Sequence, residues 1–123
     1  MFKHLVLLAG CGALGTLLRY YAISLFTARD FPWPTLSVNV LGSILMGLAY
    51  VLIVDKGLVS EALKPYVMTA FLGAFTTFSA FSLEIFVMLE KGEWFVIASY
   101  VLSSVLLCIG LLALTVYLAR LAL

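Results

Sequence analysis

Apolar residues fill four long blocks of this chain, and short polar stretches separate the blocks. The blocks cover about residues 5–27, 35–54, 65–89 and 94–118. At about 1.5 Å per residue, each block is long enough to cross a bilayer core of about 30 Å as a helix. The alternating pattern of a membrane β-barrel is missing, so the blocks are predicted to be helices. The sequence therefore predicts an all-α membrane protein, with residues 1–123 forming a single transmembrane domain.

Composition supports a lipid environment and excludes several classes of protein. The chain has 123 residues, of which 65% are apolar and 11% charged, and its mean hydropathy is +1.22. A soluble core of this length cannot hide so much apolar surface. The net charge of +1 gives no electrostatic footprint for nucleic acid. The single histidine, His4, and the two cysteines, Cys11 and Cys108, have no catalytic or zinc-binding spacing, so we do not expect an enzyme.

The cationic residues give only a weak signal for membrane orientation. One end of the bundle would carry Lys3, Lys56, Lys64 and Arg120, and the other would carry Arg29 and Lys91, with Arg19 close to it. Such a small excess permits insertion in both orientations. Two oppositely inserted copies could then pair about an axis in the membrane plane, as inverted repeats do within one chain. A single orientation set by the slight excess is the alternative.

Small residues recur where helices could approach closely. Residues 10–15 match a GxGxxG motif, but the chain has no alternating strands and helices to form a dinucleotide site. Close packing of membrane helices explains the glycines better, and Ser43 and Gly47 form a similar pair in the second block.

Two polar side chains in the first two blocks have alternative explanations. Arg19 either lines a wet vestibule that attracts anions or extends its guanidinium to the interface. Asn39 shares a helix face with Gly42, Ser43 and Met46. Its amide either donates to a desolvated anion or makes a hydrogen bond between helices.

The third block contains the most informative segment, residues 73–82, in which a glycine and clustered hydroxyl residues weaken the helix. We predict a break there, which frees backbone groups and must be buried in protein or line a cavity. Phe78 and Phe81 lie three apart on one face, and their positive ring edges suit an anion, although ordinary packing is the alternative. Glu84 follows and is either functional or paired with a hydroxyl or with Arg19.

The fourth block carries a stripe of residues four apart, formed by Tyr100, Ser104 and Cys108, and Leu111 and Thr115 continue it. The stripe is either a polar track for an ion or a packing face of small residues.

These motifs together resemble the Fluc/CrcB family of fluoride channels. The resemblance lies in residues 12–20, 35–43 and 73–82 and covers the whole chain in length, number of spans and motif order. It implies an antiparallel, dual-topology homodimer with two fluoride pores in a prokaryotic plasma or inner membrane.

The resemblance also implies roles for particular residues. Arg19 matches the vestibule arginine, Glu84 matches an acidic position after the phenylalanines, and Thr77 and Ser82 are accessory hydroxyls of the third motif. The carbonyls of Gly73 and Thr76 match the ligands of a structural Na⁺ at the dimer interface. The expected pore-lining residues are Asn39, Phe78, Phe81, Tyr100 and Ser104. Cys108 departs from the family, in which a hydroxyl is common.

The expected function is passive export of fluoride, which lowers its cytoplasmic concentration. The alternative is a proton-coupled small multidrug exporter, which needs an acidic residue in its first span. Residues 5–28 contain no Asp or Glu.

Overall fold

The computed structural model describes residues 1–27 and 30–123, and these form a bundle of four apolar helices long enough to span a membrane. All regular elements in these two ranges are helical. Arg29, part of the first predicted polar break, lies outside the described residues. The four long helices are Phe2–Ser24, Trp33–Asp55, Glu61–Lys91 and Trp94–Ala122.

The second and third of these helices are composite. We use the labels α1 (Phe2–Ser24), α2 (Trp33–Ala49), α3 (Gly73–Phe75), α4 (Phe78–Lys91) and α5 (Trp94–Ala122). A π-helical segment, Tyr50–Asp55, continues α2, and the third span begins with a 3₁₀ turn, Glu61–Leu63, and a second π-helical segment, Pro65–Leu72.

The helix ends differ by a few residues from the predicted blocks, because polar residues at a helix end can stay helical by capping it. The third span begins at Glu61, where the Ser60 hydroxyl accepts a hydrogen bond from the Ala62 N–H at 3.3 Å. It ends at Lys91, in the last turn of α4. Gly92 then closes that helix with φ of 73°, in the left-handed region that glycine enters without strain.

Two residues with extended backbone, Thr76 and Thr77, separate α3 from α4. Their φ and ψ angles are −89° and 161° for Thr76 and −151° and 121° for Thr77. The Thr77 hydroxyl then caps α4 by accepting a hydrogen bond from the Ala80 N–H at 3.2 Å. The regular helical pattern of the third span is interrupted at these two residues, which we call the break.

Glycines set the closest helix contacts. A side chain at Gly15 would overlap the Phe71 carbonyl, and one at Gly42 would overlap the Thr76 methyl group. At Gly47 an added Cβ would lie 2.9 Å from the Leu112 carbonyl oxygen. Gly10, by contrast, has open space beside it, so the predicted glycine motif packs through its last member.

Much of the apolar surface is not covered by the chain itself. Only 6% of the most apolar window is buried in α1 and in α5, compared with 33% in the second span. Many leucines, valines and aromatic residues are exposed, and they need lipid or another apolar surface around them. The bundle therefore places its own buried contacts mainly around the second and third spans.

Polar contacts at one end of the bundle join distant parts of the chain. Arg120 donates to Asp55 at 2.7 Å, and this ion pair connects the last turn of α5 to the end of the second span. His4 is exposed, and its Nδ1 lies 2.6 Å from the Tyr66 hydroxyl.

Candidate functional site

The break in the third span is held by a side chain of α2. Asn39 donates from Nδ2 to the Thr77 carbonyl oxygen at 2.9 Å, and its Oδ1 accepts the Thr77 N–H at 2.8 Å. One carboxamide thus satisfies both backbone groups of a residue that has left the helical pattern. Thr77 is buried, so unpaired groups there would be costly.

The same contacts release two backbone carbonyls from helical pairing. In an unbroken α-helix the carbonyl of Gly73 would accept the Thr77 N–H, and that of Thr76 would accept the Ala80 N–H. Here Thr77 N–H goes to Asn39 and Ala80 N–H goes to the Thr77 hydroxyl. The carbonyls of Gly73 and Thr76 were expected to bind sodium. They are therefore the two carbonyls whose N–H donors in a continuous helix bind other groups here.

A groove beside the break, which we call the central groove, lies between α2, α4 and α5. Its volume is about 400 Å³. Among the described residues, no acidic or basic side chain lines it. Its polar and aromatic walls are formed by Asn39, Ser43, Thr76, Thr77, Phe78, Phe81, Ser104 and Cys108.

Ser104 stands out among the groove residues, because its hydroxyl is buried without a hydrogen-bond partner in the described part of the chain. The side chain is only 9% exposed. A serine in a helix often donates to the carbonyl four residues earlier. The carbonyl of Tyr100 already accepts the Ser103 hydroxyl at 3.2 Å. Such a buried, unpaired donor is costly unless a ligand or water completes it.

Aromatic rings continue from the groove toward one end of the bundle. The Phe78 and Phe81 centroids are 5.4 Å apart, and those of Phe81 and Tyr100 are 4.9 Å apart. Phe81 is buried, whereas Phe78 is 77% exposed. The three rings form a line whose outer member is uncovered in a single copy.

Beyond Phe81 the structure contains a hydroxyl–carboxylate cluster of three residues, Thr35, Glu84 and Tyr100. The Thr35 hydroxyl donates to Glu84 Oε1 and the Tyr100 hydroxyl donates to Oε2, each at 2.6 Å. The sequence left open whether Glu84 pairs with a hydroxyl or with Arg19. In the structure its partners are these two hydroxyls. Thr35 itself was missed, although it precedes Asn39 by four residues and so shares its helix face.

A second groove, the end groove, lies on the other side of this cluster. Its volume is about 590 Å³, and Glu84 lines it. Three further charged side chains, Asp30, Lys91 and Glu93, share this lining. Phe81 faces the central groove and Glu84 the end groove, so the Phe81–Tyr100–Glu84 contacts separate a neutral space from a charged one.

Four of the sequence-predicted site residues line neither groove: Arg19, Gly73, Ser82 and Tyr100. Tyr100, which was expected to line the pore, lies between the grooves, where it contacts Phe81 and Glu84. Arg19 is half-buried on α1, and in the described ranges the only ion pair is the one between Arg120 and Asp55. The Ser82 hydroxyl donates to the Phe78 carbonyl at 2.9 Å, one helical turn earlier.

The groups in this region that are suited to bind a cation are backbone carbonyl oxygens. In the described part of the chain, no three His, Cys, Asp or Glu side chains cluster closely enough to hold a metal ion. Hard monovalent cations accept carbonyl oxygens as ligands, as unwound membrane helices show. The released carbonyls of Gly73 and Thr76 fit that requirement.

Comparison with known proteins gives consistent matches over nearly the full chain. A family model described as "CrcB-like protein, Camphor Resistance (CrcB)" matches residues 6–116. A protein of Magnetococcus marinus named fluoride-specific ion channel FluC is 50% identical over 101 residues, covering 80% of this chain and 82% of the relative. The proteins of that name from Saccharophagus degradans and Hahella chejuensis are 45% and 42% identical. They match 89% and 98% of this chain, and 84% and 97% of their own lengths. Four membrane-length helices and a match of this extent show that the chain is a multi-pass membrane protein of the CrcB-like family.

Proposed function

We propose that this protein is a fluoride-selective channel that exports fluoride passively and lowers its cytoplasmic concentration. Its relatives carry the name fluoride-specific ion channel. The observation that carries the proposal is the central groove, a neutral space lined by Ser104, whose buried hydroxyl has no hydrogen-bond partner among the described residues. A channel of this kind moves an ion without making or breaking bonds, so it is not an enzyme.

The groove suits a small anion because it offers donors without a fixed charge. Fluoride holds its water strongly, so a path must replace that water with hydrogen-bond donors. In the described part of the chain the Ser104 hydroxyl has no partner, and Asn39 has one N–H of Nδ2 beyond the one given to Thr77. A full positive charge at the same place would hold the ion too tightly for rapid exit.

The aromatic line offers a second kind of neutral contact. The ring edges of Phe78 and Phe81 carry partial positive charge and reject water, so they suit a partly dehydrated halide. Phe81 also contacts Tyr100, whose hydroxyl lies at the boundary between the grooves. We place the ion path from the central groove, past Phe81, to the end groove.

The hydroxyls of Thr35 and Tyr100 can serve this path without moving a heavy atom. Each O–H now donates to Glu84, and rotation about its C–O bond would redirect the hydrogen to a passing ion. Glu84 would hold the two hydroxyls in place between ions. This explains how a carboxylate can lie beside an anion path.

The proposal includes an antiparallel, dual-topology homodimer. The exposed ring of Phe78 and the open side of the central groove need a cover, and a second copy would supply one. A two-fold axis through the two breaks would bring together the Gly73 and Thr76 carbonyls of both copies. Sodium bound there would supply a fixed positive charge at the interface.

The rival exporter mechanism lacks its main residue. A proton-coupled exporter of this size would need a carboxylate in the first span, and α1 contains no Asp or Glu. The intramembrane carboxylate lies instead in α4, where two hydroxyls engage it.

The test uses purified protein in liposomes loaded with potassium fluoride, with potassium permeability supplied and a fluoride electrode outside. We expect rapid fluoride efflux and no chloride efflux. Phe81→Ile should lower the fluoride rate by at least about a hundredfold, or about 3 kcal/mol. Phe86→Ile is the matched control, because Phe86 is exposed on the same helix and lines neither groove.

Normal fluoride flux in Phe81→Ile would overturn the assigned path. Equal efflux of chloride and fluoride from the wild type would overturn the selectivity. No efflux of either ion would overturn the channel itself.

A further inference from the structure

We infer that Asn39 is a positioning residue: its carboxamide clamps Thr77, keeps the third span broken and so presents the carbonyls of Gly73 and Thr76 to a cation. The inference rests on the proposed function, because a cation at the break matters to a channel. It assigns Asn39 a role toward the backbone in addition to its place in the wall of the central groove.

The two hydrogen bonds fix which way the amide is turned. The Thr77 N–H needs an acceptor and the Thr77 carbonyl needs a donor, and the Asn39 carboxamide supplies both at 2.8 and 2.9 Å. The reverse orientation would place N–H against N–H and oxygen against oxygen. Complementarity therefore decides the assignment of Oδ1 and Nδ2.

This orientation matters for the groove. The acceptor atom of the amide, Oδ1, is directed at the Thr77 N–H. A single N–H of Nδ2 remains uncommitted in the described contacts. Asn39 can therefore give at most one hydrogen bond to an ion while it holds the break.

The clamp also explains why the break is tolerated inside a membrane protein. Lipid offers no hydrogen bonds, so an unwound residue must be satisfied by the protein. Thr77 is 7% exposed, and both of its backbone groups are paired with one side chain. Without Asn39, the chain would recover the lost bonds by rewinding residues 73–80 into a continuous helix.

Rewinding would remove the cation ligands. The Thr77 N–H would return to the Gly73 carbonyl and the Ala80 N–H to the Thr76 carbonyl, which are their helical partners. The number of free carbonyl oxygens at the break thus depends on a side chain from a different helix. Packing assists, because Gly42 lets the Thr76 methyl group lie against α2, one helical turn after Asn39.

The first test measures amide exchange at the break. Protein labelled with ¹⁵N-threonine in detergent micelles reports Thr77 and Thr76 side by side. Asn39→Leu keeps a similar shape but loses both hydrogen bonds, and Asn39→Ala removes them with less steric risk. We expect the exchange rate of the Thr77 amide to change by at least about tenfold: it rises where the hydrogen bond to Asn39 is simply lost, and it falls where a bond inside a rewound helix replaces it.

Thr76 is the internal reference. Its N–H donates to the Leu72 carbonyl at 3.0 Å within the first half of the span, and Asn39 does not contact it. Its exchange rate should stay within about twofold. Equal changes at Thr76 and Thr77 would mean general loosening and would overturn the clamp, and so would no change at either.

The second test measures the cation directly. Thermal unfolding of the purified protein is followed as sodium replaces N-methylglucamine. We expect sodium to raise the wild-type Tm, and the sodium concentration for half of that rise to increase at least about tenfold in Asn39→Leu and Asn39→Ala. Ser43→Ala is the matched control, because Ser43 lines the same groove one helical turn further along α2 and makes none of the clamp hydrogen bonds.

An unchanged sodium midpoint in both Asn39 variants, or a wild type indifferent to sodium, would overturn the link between the clamp and the carbonyls. These readouts do not use fluoride flux. Wild-type protein that fails to conduct fluoride but shows the Thr77 and sodium effects would overturn the channel proposal and keep the clamp. Fluoride conduction without those effects would do the reverse.

Discussion

The central groove and the end groove, separated by the Phe81–Tyr100–Glu84 contacts, differ in how they could treat an anion. The central groove has hydroxyl, thiol and amide groups but no charged lining residue in the described ranges. The end groove has Asp30, Glu84, Lys91 and Glu93. A neutral space lets donors replace water one by one, whereas a charged space sets the local concentration of ions at an entrance. Under the proposed function, selectivity would therefore belong to the central groove and attraction of the ion to the end groove.

A charge placed in the neutral central groove should have the largest effect on fluoride flux. Cys108→Asp should lower fluoride flux by about a hundredfold, because two unit charges about 5 Å apart at an effective dielectric constant of about 20 repel by about 3 kcal/mol. Fluoride efflux from liposomes measures the effect. Cys108→Ser is the control and should conduct at least as well as the wild type, since it adds a hydroxyl without charge. Unchanged flux in Cys108→Asp would remove the central groove from the path.

Removing the unpartnered hydroxyl should separate function from stability. Ser104→Ala should lower fluoride flux by about tenfold and leave thermal stability unchanged or raised by up to about 1 kcal/mol, because the folded protein no longer buries an unsatisfied donor. Ser103→Ala is the control: its hydroxyl donates to the Tyr100 carbonyl and lines neither groove. Loss of stability in Ser104→Ala without loss of flux would contradict the role given to this hydroxyl.

Removing a hydrogen bond to Glu84, at the boundary between the grooves, should lower both the fluoride flux and the stability. Tyr100→Phe removes one of the two donors to Glu84, so we expect about a fivefold lower flux and a loss of about 0.6 kcal/mol, the average for such bonds in membranes. Thr35→Val removes the other donor and should act alike. Their double variant should lose less than the sum, because both bonds serve one carboxylate. Strict additivity, by flux and by thermal unfolding, would show that the two hydroxyls act independently.

The smallest effect should come from the entrance. Lys91→Gln in the end groove should lower fluoride flux by about twofold at low ionic strength and leave it unchanged at about 1 M salt, where the Debye length is about 3 Å. Lys64→Gln, on the first half of the third span and in neither groove, is the control. A salt-independent loss in Lys91→Gln would mean that this lysine acts by contact within the path.

The sequence was informative where a residue type has few uses inside a membrane. The glycine and the hydroxyl residues in residues 73–82 predicted a weakened helix. In the structure, Thr76 and Thr77 adopt an extended conformation there. Helical spacing put Phe78 with Phe81 and Tyr100 with Ser104, and the structure brings these residues together with Asn39 around the central groove and the rings beside it.

The parts that sequence did not predict depend on contacts between distant residues. Thr35 pairs with a carboxylate 49 residues later, and its position just after Pro34 suggested only a helix start. The overlap of Gly42 with Thr76 follows from the crossing of two helices, which one sequence does not specify. The two π-helical segments have no periodicity signal of their own, since one wider turn only shifts the helical phase.

The ion pair between Asp55 and Arg120 has a consequence for the assembly of the bundle. It joins the end of the second span to the last turn of α5, across 65 residues of sequence, so it can form only after the fourth span has been made. Both side chains are partly exposed, so the strength of this late contact should fall as the salt concentration rises.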